Sequence, residues 1–536
     1  MSDRPRVAYF CMEYGLDTAL RLYAGGLGIL AGDLLKAARD EGYPLVGVGI
    51  KWKQGYGHQM IDADGRAFDA YKNRRYADVL EDTGVEVTVE IKGQDVRCKV
   101  WRTEAFGNAP LLLLDTDLPG NPEAWTTGQL YGWFGEERLA QEIVLGVGGV
   151  RALRALGIDV DVYHFNEGHA LLAAFELIRE KTAAGMGHDE AVAKTRAEVV
   201  FTTHTPIVEG NESHPIERML YVGANVGLTA EQLEAIGGSP FNMTVGGLRL
   251  ARAANGVAQL HGETANKMWA HVGDRAAIGA VTNGIHVPTW VDPAMLDAAA
   301  LGGDLWALHQ RNKDALLDFI AERTGRRLAS DGLLVGFARR AVAYKRAPLI
   351  FSDEGRIAHL LETGRLQLVF SGKAHPLDDA GKVVVETLVH YHRKYPRGVV
   401  FLEDYDMDIG RAMTRGCDVW LNTPHRPKEA SGTSGMKAAM NGVLNVSILD
   451  GWWPEACRHG ENGWQFGDGF ETQDAAAQDA HDAPALYRVL LDEVLPTFED
   501  DRPRWVEVMR TSIQDTRDAF SAARMLREYE EQLYRS

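Results

Sequence analysis

Residues 6–52 run RVAYFCMEYGLDTALRLYAGGLGILAGDLLKAARDEGYPLVGVGIKW. The segments RVAYFCMEY and PLVGVGIKW have the apolar density of buried strands. Between them AGGLG, residues 24–28, opens a helical stretch on which Leu27, Leu30, Leu34, Leu35 and Ala38 share one face. Strand, glycine turn, helix and strand form the unit from which parallel α/β sheets are built. Glycines at such a turn let backbone N–H groups approach an anion at the helix end whose dipole favours one. Tight packing asks for glycine there too, and the spacing is not the GxGxxG of a dinucleotide fingerprint. The turn alone leaves both readings open.

The alternation continues along the chain. VEVTVEIKG and DVRCKVWRTE predict an antiparallel hairpin near residues 85–104. RLAQEIVLGVGGVRALRALG is helical, VDVYHFN a strand, GHALLAAFELIREK a helix and AEVVFTTHTP a strand. Residues 211–310 are expected to be mostly helical, with a turn at TNGIHVPTW (282–290). A second block starts near Gly332, with five strand candidates: LLVGFA, LQLVFSG, GVVFLED, CDVWLN and VLNVSIL. Helices such as KVVVETLVHYHRK and DIGRAMTRG separate them, and residues 502–536 read as one long helical tail. With 536 residues the chain exceeds one core. The expected fold is therefore α/β: two doubly wound, Rossmann-like domains facing a cleft, with ligands at the carboxyl ends of the strands.

The formal net charge is −18, which argues against nucleic acid or an anionic membrane as a partner. Cys11, Cys98, Cys417 and Cys457 lack CxxC spacing and suggest free thiols in a reducing, cytoplasmic setting. The N-terminal residues lack the apolar core of a signal peptide, and no stretch has the apolar length to span a bilayer.

In an acidic protein, Arg339, Arg340, Lys345 and Arg346 stand within eight residues, just after a strand. They form either a solvated face or an anion site, since four cations repel one another unless anions sit among them. Further on, residues 429–442 read EASGTSGMKAAMNG. Ser431, Thr433 or Ser434 is expected to cap a helix ending at Gly442, which puts Lys437 near the helix start, where the dipole disfavours positive charge. Such a lysine either snorkels to water or has a lowered pKa, as Schiff-base chemistry requires.

EASGTSGMKAAMNGVLNVSILDG closely resembles the pyridoxal-phosphate lysine signature of the glycogen/α-glucan phosphorylases. AGGLG, HFNEGH, FTTHTP, NGVAQLHG, TNGIHVPTW, ARRAVAYKR, FSGKAHP and FLEDY follow in that family's order across nearly the whole chain. GTSGMK is similar to the short bacterial and archaeal members, where large ones have GTGNMK. The resemblance implies a GT-B type fold: a glucan-binding domain over 1–284, a cofactor-binding domain over 285–505, and a helical segment over 506–536 crossing back to the first. It implies pyridoxal 5′-phosphate on Lys437, with Arg339, Gly26, Trp290, Tyr405, Thr433, Ser434 and Gly435 around it. Arg340 and Lys345 are implied for the substrate phosphate. Gly25, Gly26, His169, His204, Asn283, Tyr344, Glu429, Ala430, Ser431 and Gly432 are implied for the glucosyl unit and its surroundings. Two departures stand out: Asp406 replaces an arginine after the tyrosine matching Tyr405, and the segments for phosphorylation and nucleotide effectors have no counterpart.

The implied activity is reversible phosphorolysis of an α-1,4-glucan or maltodextrin to glucose 1-phosphate with retention. The cofactor phosphate serves as proton relay, Lys437 merely anchors the cofactor, and the His204 carbonyl faces developing positive charge. A homodimer is an assembly the resemblance allows. No carboxylate pair of the kind a retaining hydrolase needs stands out. A nucleotide-sugar glucan synthase is the main rival and lacks a lysine at this position; a catalytically dead glucan-binding protein is the second. The histidines, among them His164, His214, His261 and His286, lack HExxH spacing, so no metal is expected. The bases and histidines of HQRNK and HYHRK are expected on helix surfaces. Trp452 and Trp453 serve packing or sugar stacking.

Overall fold

The structure, a computed structural model, describes residues 4–535. It divides into two compact units. The first comprises the residues up to Gly57, Tyr71–Thr282 and the residues from Ala522 onward; the second comprises His58–Ala70 and Asn283–Ser521.

The first unit is built on a nine-stranded sheet. From one edge the order is Ile278–Ala280, Ala253–Gly256, Val199–Thr202, Val162–Asn166, Val7–Phe10, Leu45–Ile50, Leu111–Asp115, Gln94–Thr103 and Glu81–Ile91. The first seven run parallel, and the last two add the expected antiparallel hairpin. Val7–Phe10 is buried along its whole length, which explains its unbroken apolar run. The chain leaves it first for Leu45–Ile50 on one side and later for Val162–Asn166 on the other. The strand order therefore reverses between Val7–Phe10 and Val162–Asn166, where open α/β sheets hold their ligands. Helix Ala522–Tyr529 contributes Met525, Leu526 and Tyr529 to the core of this unit.

The second unit carries a six-stranded, wholly parallel sheet: Val399–Leu402, Leu366–Ser371, Leu333–Ala338, Val419–Asn422, Leu444–Ile448 and Gly463–Phe466. Leu333, Val335 and Phe337 point into one core, while Leu334 and Ala338 point into another on the opposite face. That two-sided burial is why LLVGFA shows no polar alternation. The order reverses between Leu333–Ala338 and Val419–Asn422.

The five strands expected in the second block are all present, but Gly463–Phe466 adds a sixth; its flanks, GENG and GDG, look like turns. Residues 211–310 also hold two short parallel strands, Ala253–Gly256 and Ile278–Ala280, whose small residues hide them among helices. The helical tail is not continuous: Arg502–Thr516 ends before Ala522–Tyr529 begins. HQRNK is not a solvated face. His309 and Lys313 are fully buried and converge on Asp418, at 2.8 and 2.6 Å, and Asp418 also accepts the Leu334 N–H at 2.7 Å. Among the described residues no helix is long and apolar enough to cross a membrane.

Candidate active site

In the second unit, the residues after strand Leu333–Ala338 meet the end of its neighbour at the reversal point. Arg339 donates to the side-chain oxygen of Asn422, the last residue of strand Val419–Asn422, and to Glu429 Oε2 at 2.8 Å. Lys345 Nζ donates to the same carboxylate oxygen at 2.5 Å. Burial pushes the Glu429 carboxyl up, but Arg339 and Lys345 outweigh it and hold it at about 2. The four neighbouring cations thus divide. Arg339 and Lys345 gather around Glu429. Arg346 is buried against the Thr423 and Pro424 carbonyls, Asp479 and Asp482. Arg340 is exposed. Tyr344 lies beside the pair, its ring centroid 4.8 Å from Lys345 Nζ.

The Glu429 loop is templated by Asp450, which accepts the Glu429 N–H at 2.9 Å and the Gly451 N–H at 2.8 Å. Burial, then the charge of Glu429, pushes the Asp450 carboxyl up to about 8. A Cβ at Gly451, where φ is +61°, would lie 2.2 Å from the Ser431 carbonyl oxygen, and that oxygen accepts the Trp452 N–H at 3.0 Å. Trp452 and Trp453 are both buried, and their rings pack edge to face.

The helix that carries the lysine is Thr433–Met440. No serine or threonine caps it; Gly432 does, in the left-handed region at φ +87°. Lys437 is the fifth helical residue, in the second turn, so the argument from the field at the helix start does not apply to it. Snorkelling does not apply either, because Lys437 is only 5% exposed. Its Nζ lies 3.5 Å from the centroid of the buried Trp290 ring, so an aromatic face is what receives the amine. Asn441 fixes the pair: its side-chain N–H group donates to the Lys437 carbonyl at 2.8 Å and the Trp290 carbonyl at 3.2 Å, and its oxygen accepts the Asp292 N–H at 2.9 Å. Sequence reasoning missed Asn441 because an asparagine before glycine looks like an ordinary helix end.

Around this helix start, Ser434 Oγ accepts from Trp420 and the Gly435 carbonyl accepts from Asn445, at 3.2 and 2.9 Å. A Cβ on Gly435 would fall 2.6 Å from Asn445 Oδ1, and one on Gly432 3.3 Å from Arg339 Nη2. Burial pushes the Tyr405 hydroxyl up to about 12. Asp406 caps helix Met407–Gly416 by accepting the Ile409 N–H at 3.0 Å. Asn283 and Ser431 are buried, and Ala430 is half-buried.

In the first unit, helix Gly26–Asp40 starts at the AGGLG turn without a side-chain cap of its own. Glu13, beyond the end of strand Val7–Phe10, supplies an anion: it accepts the Ala24 and Gly25 N–H groups at 2.6 and 3.0 Å and the Tyr131 hydroxyl at 2.9 Å. The glycines divide by role. A Cβ at Gly28 would strike Glu13 and Tyr23, and one at Gly32 would lie 2.0 Å from the Gly15 carbonyl. At Gly25 and Gly26 a Cβ meets nothing within 4 Å, so packing does not explain those two. At the neighbouring strand end, Glu167 has a φ of +73° and accepts the His204 N–H, the Thr205 hydroxyl at 3.0 Å and the Gly168 N–H at 3.3 Å. A non-glycine residue in that conformation marks a locally over-determined turn. Burial lowers His169 to about 4, and burial with nearby histidines lowers His204, so both rings are neutral at pH 7. Glu13 and Glu167 were not singled out from sequence, although both stand in quoted stretches.

Charged groups and glycine turns thus stand at the reversal points of both sheets, the place where open α/β sheets hold their ligands. The carbohydrate phosphorylase profile matches residues 293–534. A maltodextrin phosphorylase of Thermococcus litoralis is 36% identical, covering 98% of this chain and 70% of its own. A glycogen phosphorylase of Mycobacterium bovis is 39% identical with the same coverage. An uncharacterized protein of Methanocaldococcus jannaschii is 37% identical over 98% of this chain and 99% of its own. The chain belongs to the carbohydrate phosphorylase family, as its motifs suggested.

Proposed function

We propose that the chain is an α-1,4-glucan phosphorylase of the GT-B type, acting in the cytoplasm on glycogen-like glucans or maltodextrins. It transfers a terminal glucosyl unit to inorganic phosphate, giving glucose 1-phosphate with retention. The observation that carries this reading is the buried Lys437 amine over Trp290, in the same unit as the Arg339–Lys345–Glu429 cluster.

The residues fit pyridoxal 5′-phosphate. A primary amine buried against an indole plane suits an aromatic aldehyde, and the helix of Thr433, Ser434 and Gly435 offers N–H groups that no side chain caps. Arg339 adds charge beside Gly432, where a Cβ would crowd it. When bound, the cofactor supplies a phosphate group able to exchange a proton with substrate phosphate. Lys437 would anchor the group, and Trp290 and Tyr405 would be among the residues that hold it. Arg340 and Lys345 hold substrate phosphate, their charge offsetting repulsion between two phosphates. Glu429, kept ionised, accepts hydrogen bonds from glucosyl hydroxyls, with Ala430 to Gly432 lining the sugar. Asn283 and Tyr344 in the second unit, and His169 and His204 with their neutral imidazoles in the first, are the residues we assign to the glucosyl unit, the His204 carbonyl serving developing positive charge. Gly26, whose N–H group Glu13 does not take, offers it to a bound anion, and Gly25 leaves the space beside it open.

The test is glucose 1-phosphate release from maltoheptaose and inorganic phosphate, with wild type and Lys437→Ala, each after incubation with pyridoxal phosphate. Borohydride reduction followed by peptide mapping should put a pyridoxyl-phosphate increment on Lys437. Full turnover by Lys437→Ala, or glucose release independent of phosphate, would overturn the reading.

A further inference from the structure

A second cluster of ionisable groups lies in the first unit. Helix Glu136–Ile143 presents Glu142, which is fully buried, and segment 212–214 presents Glu212 and His214, the latter 4% exposed. One donor atom from each of the three lies within 4.8 Å of the others. Neither carboxylate oxygen of Glu142 has a hydrogen-bond donor in range, and neither ring nitrogen of His214 has a hydrogen-bond partner. His214 Nε2 approaches Glu212 Oε2 only to 3.9 Å, and that oxygen is likewise without a hydrogen bond. The other oxygen of Glu212 is taken by Arg138 Nη1 at 3.3 Å.

A buried carboxyl, a half-buried carboxylate and a buried imidazole are aimed at one another, and Arg138 is the one cation paired with them among the described residues. Arg138 balances one negative charge, so the second carboxyl needs either a proton or a bound cation. We propose that Glu142, Glu212 and His214 bind a divalent transition-metal ion of the Zn²⁺/Mn²⁺ class. A nitrogen donor beside two oxygens favours these ions over Mg²⁺ or Ca²⁺, which take oxygen ligands. Ligand bonds of about 2.0–2.2 Å put donors roughly 3.3–3.6 Å apart, so the side chains need close by only about an ångström. Glu212 keeps a side-chain exposure of 26%, which leaves a path for the ion and for a water as fourth ligand. Arg138 orients Glu212 from behind. The ion clips helix Glu136–Ile143 to segment 212–214, closing a loop of about seventy residues. It lies behind residues implied for the sugar pocket: the Arg138 guanidinium is 4.7 Å from the Tyr131 ring, and that ring is 5.7 Å from His169.

The test uses full-length protein stripped with EDTA and titrated calorimetrically with Zn²⁺, Mn²⁺ and Mg²⁺, with bound metal counted by mass spectrometry. One Zn²⁺ or Mn²⁺ per chain is expected, with Mg²⁺ bound at least 100-fold more weakly. Glu142→Gln and His214→Gln should each weaken binding at least 100-fold while circular dichroism stays native. Failure of wild type to bind either ion stoichiometrically, equal affinity for Mg²⁺, or unchanged binding in both variants would overturn the assignment and leave a carboxyl pair sharing a proton. The wild-type titration stands even if a variant misfolds.

Discussion

Glu429→Gln is the sharpest perturbation of the second unit, because its size can be worked out. The carboxyl is held at about 2 in place of 4.5. At about 1.4 kcal/mol per pH unit of difference, that contributes about 3 kcal/mol at neutral pH. The sign follows from a lowered folded-state pKa: the stability is complete above 4.5 and is lost as pH falls toward 2. At pH 3 about 1.4 kcal/mol of it remains. Glutamine keeps the shape and removes the charge, leaving Arg339 and Lys345 buried against a neutral amide. Breaking such a pair costs about 3–5 kcal/mol. Urea unfolding of the cofactor-loaded enzyme at pH 7 should therefore show a loss of about 3–5 kcal/mol, shrinking as pH falls. Inorganic phosphate should offset part of it, about 2.7 kcal/mol at a hundredfold excess over its dissociation constant, because the bared cations are an anion site. A variant whose unfolding free energy matches wild type at pH 7 would refute the view that this carboxylate neutralises the cation pair.

Asp450→Asn removes a carboxyl pushed up to about 8 by burial and by Glu429, with Arg339 and Arg426 the opposing charges. Wild-type kcat/KM for phosphate should fall as pH rises through 8, when a second negative charge forms beside Glu429, and the variant should lose that limb. Gly25→Ala should leave the unfolding free energy within about 0.5 kcal/mol and raise the KM for phosphate, since a Cβ there meets nothing within 4 Å. Gly32→Ala should instead cost more than about 3 kcal/mol in the same urea titration, its Cβ lying 2.0 Å from the Gly15 carbonyl oxygen. Asp418→Asn should cost about 3–5 kcal/mol, because it strands buried Lys313 without its counterion; an unchanged urea midpoint would sink that account.

The parallel strands were legible because burial on both faces writes continuous apolar runs, as in LLVGFA and RVAYFCMEY. Ala253–Gly256 and Gly463–Phe466 were not, since their glycines and asparagines carry the signals of turns and only neighbouring strands make them pair. At the site, Lys437, Trp290 and Glu429 came from motif order, while the residues that hold them, Asn441 and Asp450, did not. Asn441 works through carbonyls 4 and 151 positions back and Asp450 through the Glu429 N–H 21 positions back, pairings that no local pattern encodes. HQRNK misled for a related reason. Helical spacing puts His309 and Lys313 on one face, but nothing in that face announces that Asp418, over a hundred residues later, will be buried against it.

The division of the four cations is how a chain of charge −18 would sustain the phosphate site proposed for it. Left together, Arg339, Arg340, Lys345 and Arg346 would repel one another and recruit the nearest carboxylates. The fold settles this by geometry. Arg346 sits at φ +52°, which turns its side chain away to Asp479 and Asp482. Arg339 and Lys345 share a single carboxylate, so one net positive charge is left over at the reversal point of the sheet. Arg340 adds another at the exposed edge. A surplus of about two charges matches a phosphate dianion, and it is set by how many carboxylates the loops deliver. A second carboxylate in the Glu429 loop would halve that surplus. Asp450 stands where that would happen, and its protonation below about pH 8 is what keeps the surplus in place.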